Sequence, residues 1–514
     1  MATRVSNSNE RKRGAILSYL SIILSTVVQL VYTPLLIRML GQGEYGLYSL
    51  VSSVIGYLTV LDLGFGNAIV VFTAKYRANK QYEKEKKLHG MFLVIFCIIG
   101  LIAGLLGLLL YFNVPLLFGK TMTDIELHKA KIMMLILSFN LAVTFPFSIY
   151  SSIITAYEKF TFQKVIAIMN TLLKPVLMIP LLFLGYKSIT MTVVITVVNI
   201  IVLLSNYFYC KKKLGVNIKF MGFDKNLFKT IFSYSFFIFL GVIVDKVNWS
   251  LDQFILGAVS GTIAVSLYSV ASQINSLFVN LSTAVSGVLL PKMSKMIAAG
   301  ATNEQLTDEM VKVGRMQAFV ILQMASGFVL FGKQFITLWL DESYTTAYYV
   351  ALWLILPLCF SLVKNLAISI RQAKNRHKFA VVIMIITSVL NAVVSVFLAK
   401  EMGAIGSAIG TGVTILINNI IIDIYYQKVI GLDMIRFWKQ IFKVSLSVII
   451  PTIIMLMFTH YVKIQGLLGF IISAGLYSLM YSYVIYRYTM NNYEKEQIQK
   501  ITNKIIRKCK NDNN

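Results

Sequence analysis

Charged residues are scarce in this chain, and acidic residues are the scarcest of them. Only 14% of the 514 residues are charged, with 22 Asp and Glu against 48 Lys and Arg. Soluble domains usually carry about 25% charged residues, so a soluble fold of this length would lack the polar surface that it needs. Hydrophobic residues make up 57% of the chain and come in runs that fit the ~30 Å hydrocarbon core of a bilayer. The composition therefore predicts an all-α integral membrane protein.

Motifs for metal binding, disulfides and common catalytic chemistry are also missing. The cysteines and histidines are few and scattered: Cys97, Cys210, Cys359, Cys509, His89, His128, His377 and His460. Without a CxxC pair or a ligand-spaced cluster, neither a disulfide framework nor a zinc site is indicated. There is no GxxxxGK[ST] loop, no HExxH and no GxSxG. We therefore predict a protein that is not an enzyme and needs no metal or cofactor.

The net charge of +26 has two possible meanings. On a soluble protein it would suggest nucleic-acid binding, but here the basic residues lie in short segments between apolar runs, which is typical of membrane orientation. The first apolar run, Gly14 to about Leu36, follows Arg11 and Lys12. It is too long for a signal-peptide core and lacks an A-x-A site, so we interpret it as a retained first helix and predict no nucleic-acid partner.

The apolar runs predict about fourteen transmembrane helices. Their approximate spans are 14–37, 45–72, 91–112, 132–154, 163–185, 188–209, 230–257, 262–288, 314–337, 346–370, 379–399, 404–427, 440–461 and 464–486. With this assignment 37 of the 48 basic residues fall on one side, eight on the other and three inside spans. The positive-inside rule then places both termini in the cytoplasm of a bacterial plasma membrane.

Short matches suggest that a six-helix unit occurs twice. Leu47-Tyr48-Ser49 recurs as Leu267-Tyr268-Ser269, and Leu40-Gly41 recurs as Leu256-Gly257 with four extra residues between. Helices 5 and 11 can be overlaid so that Lys174 lies opposite Asn391. Because both units would start on the same side, this is a parallel repeat. We predict these domains: an N-terminal lobe (1–210), a cytoplasmic linker (211–229), a C-terminal lobe (230–428), helices 13 and 14 (429–488) and a basic cytoplasmic tail (489–514).

Polar residues inside predicted spans are the candidate functional residues, because a charge near mid-bilayer costs roughly 2.5–3.5 kcal/mol on insertion scales. Lys174, next to Pro175 in helix 5, could be a cationic point on a substrate path or a structural partner of Asp62 or of a free carbonyl. Helix 7 carries the densest set, in which four residues share one face and Lys246 points about 100° away. These four residues are Asp245, Asn248, Trp249 and Asp252. They could form part of a transport path or an interhelical polar lock.

Three further residues remain open to two interpretations. Lys364 could contact substrate or extend to the cytoplasmic interface. Asp62, followed by Gly64 and Gly66 where the helix could break, could be a proton or sodium site or a partner for a cation. Tyr268, like Trp249, could stack on sugar or belong to the interfacial aromatic belts.

The order of several motifs resembles a known group of transporters. Similar segments begin with Leu-Gly-Gln-Gly-Glu-Tyr-Gly-Leu-Tyr at 40–48 and Leu-Asp-Leu-Gly-Phe-Gly-Asn-Ala at 61–68. They continue with Asp-Gln-Phe-Ile-Leu-Gly at 252–257, Leu-Tyr-Ser-Val-Ala at 267–271, Leu-Pro at 290–291 and Gly-Ala-Ile-Gly-Ser-Ala at 403–408. Over about residues 15–430 the chain resembles the polysaccharide (Wzx-type) flippases of the multidrug/oligosaccharidyl-lipid/polysaccharide (MOP) exporter superfamily. The family commonly has arginine where this chain has Gln253.

The resemblance implies two six-helix lobes around a central cavity. It implies transport of an oligosaccharide on undecaprenyl diphosphate from the inner to the outer leaflet, with the bilayer, a polysaccharide polymerase and glycosyltransferases as partners. The positive charges of Lys174, Lys246 and Lys364 suit an anionic diphosphate.

Four functions are alternatives to a polysaccharide flippase. The alternatives within the superfamily are a peptidoglycan-precursor flippase, which would have more cavity arginines, and a multidrug antiporter, which usually has twelve helices. A membrane glycosyltransferase would need a larger external loop with catalytic groups than the segment 113–131 offers. A purely structural membrane protein is the fourth.

Overall fold

The computed structural model of this chain is almost entirely α-helical. It describes residues 2–216, 218, 220, 222–286, 289–374, 376, 378–461, 466–496 and 499, and this part contains no β-strand. The helices are α1 Ala2–Leu40, α2 Gln42–Tyr57, α3 Phe65–Ala78, α4 Tyr82–Phe118, α5 Asp124–Ala156, α6 Phe160–Phe183, α7 Ser188–Lys212, α8 Lys225–Val259, α9 Thr262–Ser286, α10 Leu290–Ala298, α11 Asn303–Trp339, α12 Thr345–Leu362, α13 Asn365–Ala373, α14 Lys378–Tyr425, α15 Met434–Tyr461 and α16 Gly466–Val484. The predicted all-α membrane fold is confirmed.

The number of spans agrees with the sequence once two long helices are considered. Twelve segments of the described chain are long and apolar enough to cross a membrane. One of them, Lys378–Ile430, is 53 residues long and is interrupted at Gly403, whose φ of 55° and ψ of −133° are not helical. A membrane needs only about 20 residues per helix, so this segment supplies two spans. The apolar α8, 35 residues long, supplies one more, which gives the expected fourteen.

Two breaks interrupt the helices, one within the spanning segment Gln42–Ala78 and one at the end of the spanning segment Glu342–Leu362. Between α2 and α3 the chain forms a 3-10 turn at Leu58–Asp62, and Leu63 (φ 53°) and Gly64 (φ 72°) then adopt left-handed conformations. The break that Gly64 suggested is therefore present. A second break, at Val363 and Lys364, separates α12 from α13. Such breaks free backbone groups that lipid cannot satisfy, so they occur where protein or water surrounds them.

Helix starts recur at nearly constant intervals along the two halves. Gln42 begins α2 and Thr262 begins α9, 220 residues later. Each helix follows a turn glycine with positive φ, Gly41 at 82° and Gly261 at 84°. The sequence match of Gly41 with Gly257 is therefore wrong. Gly261 has the same positive-φ conformation as Gly41 and lies 220 residues after it, so the repeat needs no inserted residues. Glycine is favoured at both turns because it adopts positive φ without steric cost.

Contacts group the chain into two compact units. Unit 1 comprises Met1–Ser269 and Ala392–Ser407, and unit 2 comprises Val270–Asn391 and Ala408–Asn514. In unit 1, α4 packs closely on α5, since a Cβ at Gly107 would lie 2.0 Å from the Ser138 hydroxyl. In unit 2, Tyr477 and Tyr481 are buried where α16 packs on α11. The lobe boundaries that the sequence repeat suggests stay a prediction, and most of the basic tail lies outside the described residues.

Candidate functional site

Lys174 occupies the middle of α6 and has no counter-ion among the residues that the structure describes. Its side chain is partly exposed, and its ammonium forms no hydrogen bond or ion pair with any residue that the structure describes. Asp62, the partner considered from the sequence, forms no ion pair with it. A lysine in a spanning helix that lacks a carboxylate or carbonyl partner depends on water or a ligand for solvation.

Asp62 ends the 3-10 turn that breaks the second spanning segment. Its carboxylate faces the backbone N–H groups of Gly64 and Gly66, at the start of α3. A Cβ added to Gly66 would lie 3.6 Å from both the Asp62 Oδ2 and the Ser152 hydroxyl. The glycine thus leaves room for the carboxylate beside the helix start, where backbone N–H groups favour negative charge. Asp62 thus lies beside the start of α3, and its two interpretations from the sequence stay predictions.

Predicted helix 7 (230–257) corresponds to α8, so α8 carries the predicted polar face. The side chains of Asp245, Asn248 and Trp249 lie outside the described part of the chain. Lys246 is partly exposed and has no hydrogen bond or ion pair within the described part. Lys246 therefore shares with Lys174 a charge that no described side chain neutralises.

Asp252, in contrast, is enclosed. Its side chain is 1% exposed and accepts hydrogen bonds from the hydroxyls of Tyr268 (2.6 Å) and Ser407 (2.7 Å). Hydrogen bonds to a carboxylate are stronger than neutral ones. Asp252 therefore joins α8, α9 and α14 within unit 1, and the Tyr268 hydroxyl serves this junction.

Lys364 lies at the second helix break, in unit 2. Its side chain is only 5% exposed and forms an ion pair with Asp423, and its ammonium also donates to the Asn419 carbonyl at 3.3 Å. The Trp438 indole N–H donates to the other Asp423 oxygen at 2.7 Å, and the Lys364 ammonium lies 5.8 Å from the Trp438 ring centre. Asp423 thus holds Lys364 inside unit 2, and the two interpretations of Lys364 from the sequence stay predictions.

Buried polar groups surround the same break. The Leu362 carbonyl, near the end of α12, accepts a hydrogen bond from the Ser282 hydroxyl at 3.0 Å. The Asn365 side chain donates to that hydroxyl at 2.6 Å, and the Gln317 amide donates to the Ser282 carbonyl at 3.2 Å. The Ser282 hydroxyl thus gives the Leu362 carbonyl a partner at the end of α12, and Asn365 and Gln317 bond to Ser282 in turn. The break is thus built into the packing of α9, α11 and α12.

Another polar cluster joins helix ends in unit 1, on the side that the sequence predicts to carry few basic residues. Glu44 at the start of α2 forms an ion pair with Lys129 of α5 and accepts from the Ser188 hydroxyl of α7. Close by, a Cβ at Gly46 would lie 1.9 Å from the Thr262 carbonyl oxygen, so α2 and α9 approach closely. We call Glu44, Lys129, Ser188, Gly46 and Thr262 the outer latch.

The structure separates the predicted residues into two kinds. Lys174 and Lys246 are unneutralised within the described chain, whereas Asp252 and Lys364 are satisfied by protein groups. Among the predicted residues with described side chains, the structure joins Tyr268 to Asp252 by a hydrogen bond of 2.6 Å, whereas Lys174, Lys246, Lys364 and Asp62 form no ion pair with one another. Among these described residues no cluster of three His, Cys, Asp or Glu could hold a metal ion. The sequence missed Trp438, Ser407 and Glu44 as partners, because their contacts join distant segments.

Two curated proteins are similar to most of this chain. The chain is 19% identical to a putative O-antigen transporter from Shigella flexneri, over 78% of this chain and 94% of that protein. It is 22% identical to the lipid II flippase MurJ of Bacillus subtilis strain 168, over 79% of this chain and 80% of that protein.

Solved structures show the same fold. A structure of lipid II flippase MurJ in an inward closed conformation covers 92% of this chain with a TM-score of 0.71 and 20% identity, and the match spans 98% of that chain. An inward-facing MATE multidrug transporter of the MOP superfamily covers 77% of this chain and 92% of its own, with a TM-score of 0.60 and 15% identity. Residues 12–297 match the family described as polysaccharide biosynthesis protein. Since that match covers more than half of the chain, this protein is a member of the polysaccharide biosynthesis protein family.

Proposed function

We propose that this protein is a flippase for lipid-linked oligosaccharides. It moves undecaprenyl-diphosphate-linked repeat units from the inner to the outer leaflet of a bacterial plasma membrane, and the units serve surface polysaccharide such as O-antigen, capsule or exopolysaccharide. The observation that carries the proposal is the unneutralised charge of Lys174 within a spanning helix. A diphosphate supplies the anion that the described protein lacks at this point. Family membership and the O-antigen transporter relative support the sugar-linked substrate.

The proposed mechanism is alternating access through a cationic central cavity lined by Lys174 and Lys246. The lipid tail stays in the bilayer while the headgroup crosses. Moving about two negative charges outward along an inside-negative potential is worth roughly 4–5 kcal/mol at ~100 mV, so the potential biases the direction of transport. A protein that transports in this way is not an enzyme and needs no cofactor.

The proposed orientation places both termini and the segment 211–229 in the cytoplasm. It rests on the uneven distribution of basic residues, with 37 on one predicted side and eight on the other. Single cysteines near Lys187 and Asp341, in a cysteine-free background, should react with an impermeant maleimide added to intact cells. A cysteine in 211–229 should react only after the membrane is opened. Labelling of that segment in intact cells would overturn the orientation.

Substitution of Lys174 tests the substrate role. Lys174→Ala should abolish surface polysaccharide in a strain that depends on this gene, while the protein remains inserted and folded. Lys174→Arg should keep part of the activity because the charge remains, and Lys174→Gln should behave like alanine. Lys187→Ala, an exposed lysine in a loop, is the matched control and should leave display unchanged. Normal display from a well-expressed Lys174→Ala protein would refute the substrate contact.

A double substitution separates this role from a structural one. If Lys174 served only as the partner of Asp62, Lys174→Ala with Asp62→Ala would restore both protein level and display, because neither ion would be left alone. The absence of an ion pair between them predicts no such rescue.

Two related substrates are distinguished by transport assays. The MurJ relative is named for lipid II, and the MATE neighbours for multidrug transport. Purified protein in liposomes should move undecaprenyl-diphosphate oligosaccharide faster than lipid II. Preference for lipid II would favour a peptidoglycan-precursor flippase, and proton- or sodium-driven drug export would favour an antiporter. The polymerase and glycosyltransferases that we expect as partners would be tested by co-purification.

A further inference from the structure

Unit 2 contains an apolar groove that the proposed transport path does not use. It has a volume of about 580 Å³ and is formed by α11, α12 and α15. Its lining is Leu322, Ala325, Leu356, Cys359, Phe360, Val363, Trp438, Lys439, Ile441, Phe442 and Ser445. We call this the α11–α12–α15 groove. Lys439 is the only charged residue in this lining.

The edges of the groove face the hydrocarbon of the bilayer. Phe360 on α12 is 48% exposed and Phe442 on α15 is 63% exposed, and both helices are apolar spans. The inner residues Ala325 and Ile441 are almost fully buried. A groove with apolar walls and apolar edges inside a membrane is filled by hydrocarbon chains, since water would find few partners there.

Positive charge lies beside the groove near the start of α15. Lys439 lines it and Lys443 follows one helical turn later on the same face; both are exposed. Neither lysine forms an ion pair within the described chain. The neighbouring Arg436 differs, because it pairs with Asp308 at 2.7 Å. Lys439 at the groove and Lys443 one helical turn further along α15, neither ion-paired within the described chain, match a molecule that has a phosphate at one end and a hydrocarbon chain at the other.

We propose that the α11–α12–α15 groove binds an anionic phospholipid of the surrounding membrane. An acyl chain lies against Leu322, Ala325 and Ile441, and the phosphate contacts Lys439 and Lys443. This lipid is a resident ligand and is distinct from the transported molecule. The proposal therefore does not depend on the proposed function.

Trp438 connects this lipid to the second helix break. Its ring lines the groove, while its indole N–H donates to Asp423 at 2.7 Å. Asp423 in turn holds Lys364 between α12 and α13. A chain in the groove packs against the Trp438 ring and keeps the indole in place. Bound lipid thereby stabilises the Asp423–Lys364 pair, and it should raise the thermal stability of the whole protein by mass action.

The proposal is tested with purified full-length protein in detergent. Phosphatidylglycerol should raise the melting temperature by roughly 3 °C or more beyond phosphatidylcholine with the same chains. Lys439→Gln with Lys443→Gln should remove this difference. The control is Lys225→Gln with Lys229→Gln on α8, a second exposed lysine pair with the same spacing, and it should retain the difference. Native mass spectrometry should show one retained phosphatidylglycerol in the wild type and the control, and none in the Lys439/Lys443 variant.

Filling the groove provides a second variant. The Ser445 hydroxyl bonds only within its own helix, to the Ile441 carbonyl, so Ser445→Phe should fill the space without breaking a contact between helices. This variant should melt as the wild type does in detergent alone but gain nothing from either lipid. Equal stabilisation of the wild type by both lipids would overturn the proposal, as would full retention of the phosphatidylglycerol effect in the Lys439/Lys443 variant. Displacement of the lipid by equimolar undecaprenyl phosphate would also overturn it, because the groove would then belong to the carrier lipid.

Discussion

Lys174 in unit 1 and Lys364 in unit 2 are both lysines in predicted membrane spans, but their surroundings are opposite. Lys364 is buried against Asp423, Asn419 and Trp438. Lys174 is partly exposed and has no partner in the described chain. A charge that is already neutralised contributes to folding, whereas one that is left open is available to a ligand. The same residue type therefore has a structural role at one position and a proposed transport role at the other.

The largest expected difference is in stability. Lys364→Ala leaves Asp423 without its counter-ion and should lower the free energy of unfolding by about 3–5 kcal/mol. Lys174→Ala should change it by less than about 1 kcal/mol, since no described contact is lost. Unfolding titrations of purified protein give both values. Lys364→Met with Asp423→Leu should recover most of the stability. A neutral Lys364→Ala would show that the pair does not hold the helix break.

The Arg315–Glu494 pair extends the comparison to another buried cation. Arg315 on α11 donates to the Glu494 carboxylate from Nε (2.6 Å) and from Nη2 (3.0 Å). Nη2 also donates to the Thr489 carbonyl (2.8 Å). Glu494→Gln keeps the shape but removes the charge, so we expect a loss of about 1.5–3 kcal/mol in the free energy of unfolding. Arg315→Lys should lower the free energy of unfolding by a similar amount, because a lysine ammonium cannot bind both oxygens of the Glu494 carboxylate in the way that a guanidinium does. Wild-type stability of Glu494→Gln would contradict this interpretation.

The outer latch should show a smaller effect, because its ion pair is partly open to solvent. Lys129 is 26% exposed and Glu44 is 14% exposed, and such pairs contribute up to about 1 kcal/mol. Lys129→Met should loosen the contact of α2 with α9. A cysteine introduced at Gly43, close to the Thr262 hydroxyl, should then react several-fold faster with an impermeant maleimide. An unchanged rate would mean that the close approach at Gly46 alone holds these helices.

The smallest effect is expected at Asp224, which caps α8 outside the membrane spans. The Leu227 N–H and the Lys87 ammonium, 3.2 Å away, hold the pKa of this carboxyl below its ordinary value of 3.8. A lowered folded-state pKa stabilises the protein above the unfolded pKa, and this contribution is lost as the pH falls through the folded pKa. Asp224→Ala should melt slightly below the wild type at pH 7, and the difference should begin to shrink only as the pH falls below the ordinary value of 3.8, toward the lowered folded-state pKa. A difference that does not shrink over this acidic range would point to a cause other than this charge.

Helix positions were predictable because lipid imposes length and apolarity on every span. The glycines near Asp62 also indicated the first break, since Gly64 can adopt positive φ. The second break has no such signal: Val363 and Lys364 are neither glycine nor proline. At this break the Ser282 hydroxyl donates to the Leu362 carbonyl and accepts from the Asn365 side chain, 83 residues away along the chain, and no local sequence pattern records these contacts.

The polar partners were less predictable than the polar residues themselves. Lys174 and Lys364 are both visible as charges in apolar sequence. Which of them is neutralised depends on Asp423, 59 residues beyond Lys364, and on the helix that carries it. Asp252 illustrates the same limit, because Ser407 lies 155 residues away. Sequence alone identifies where charge is costly, and tertiary packing decides whether that charge is satisfied.

The Arg315–Glu494 contact has a consequence for how the protein is made. Glu494 is synthesised 179 residues after Arg315, which is about 10–40 s later at ordinary rates of synthesis. During that time the end of α11 carries a cation whose final site is incomplete. A message that stops after α16 but before Glu494 would insert every span and still leave Arg315 without its counter-ion. Glu494 thus completes a site that begins on α11, and chains truncated before Glu494 should be recognised by membrane proteases although all their helices are present.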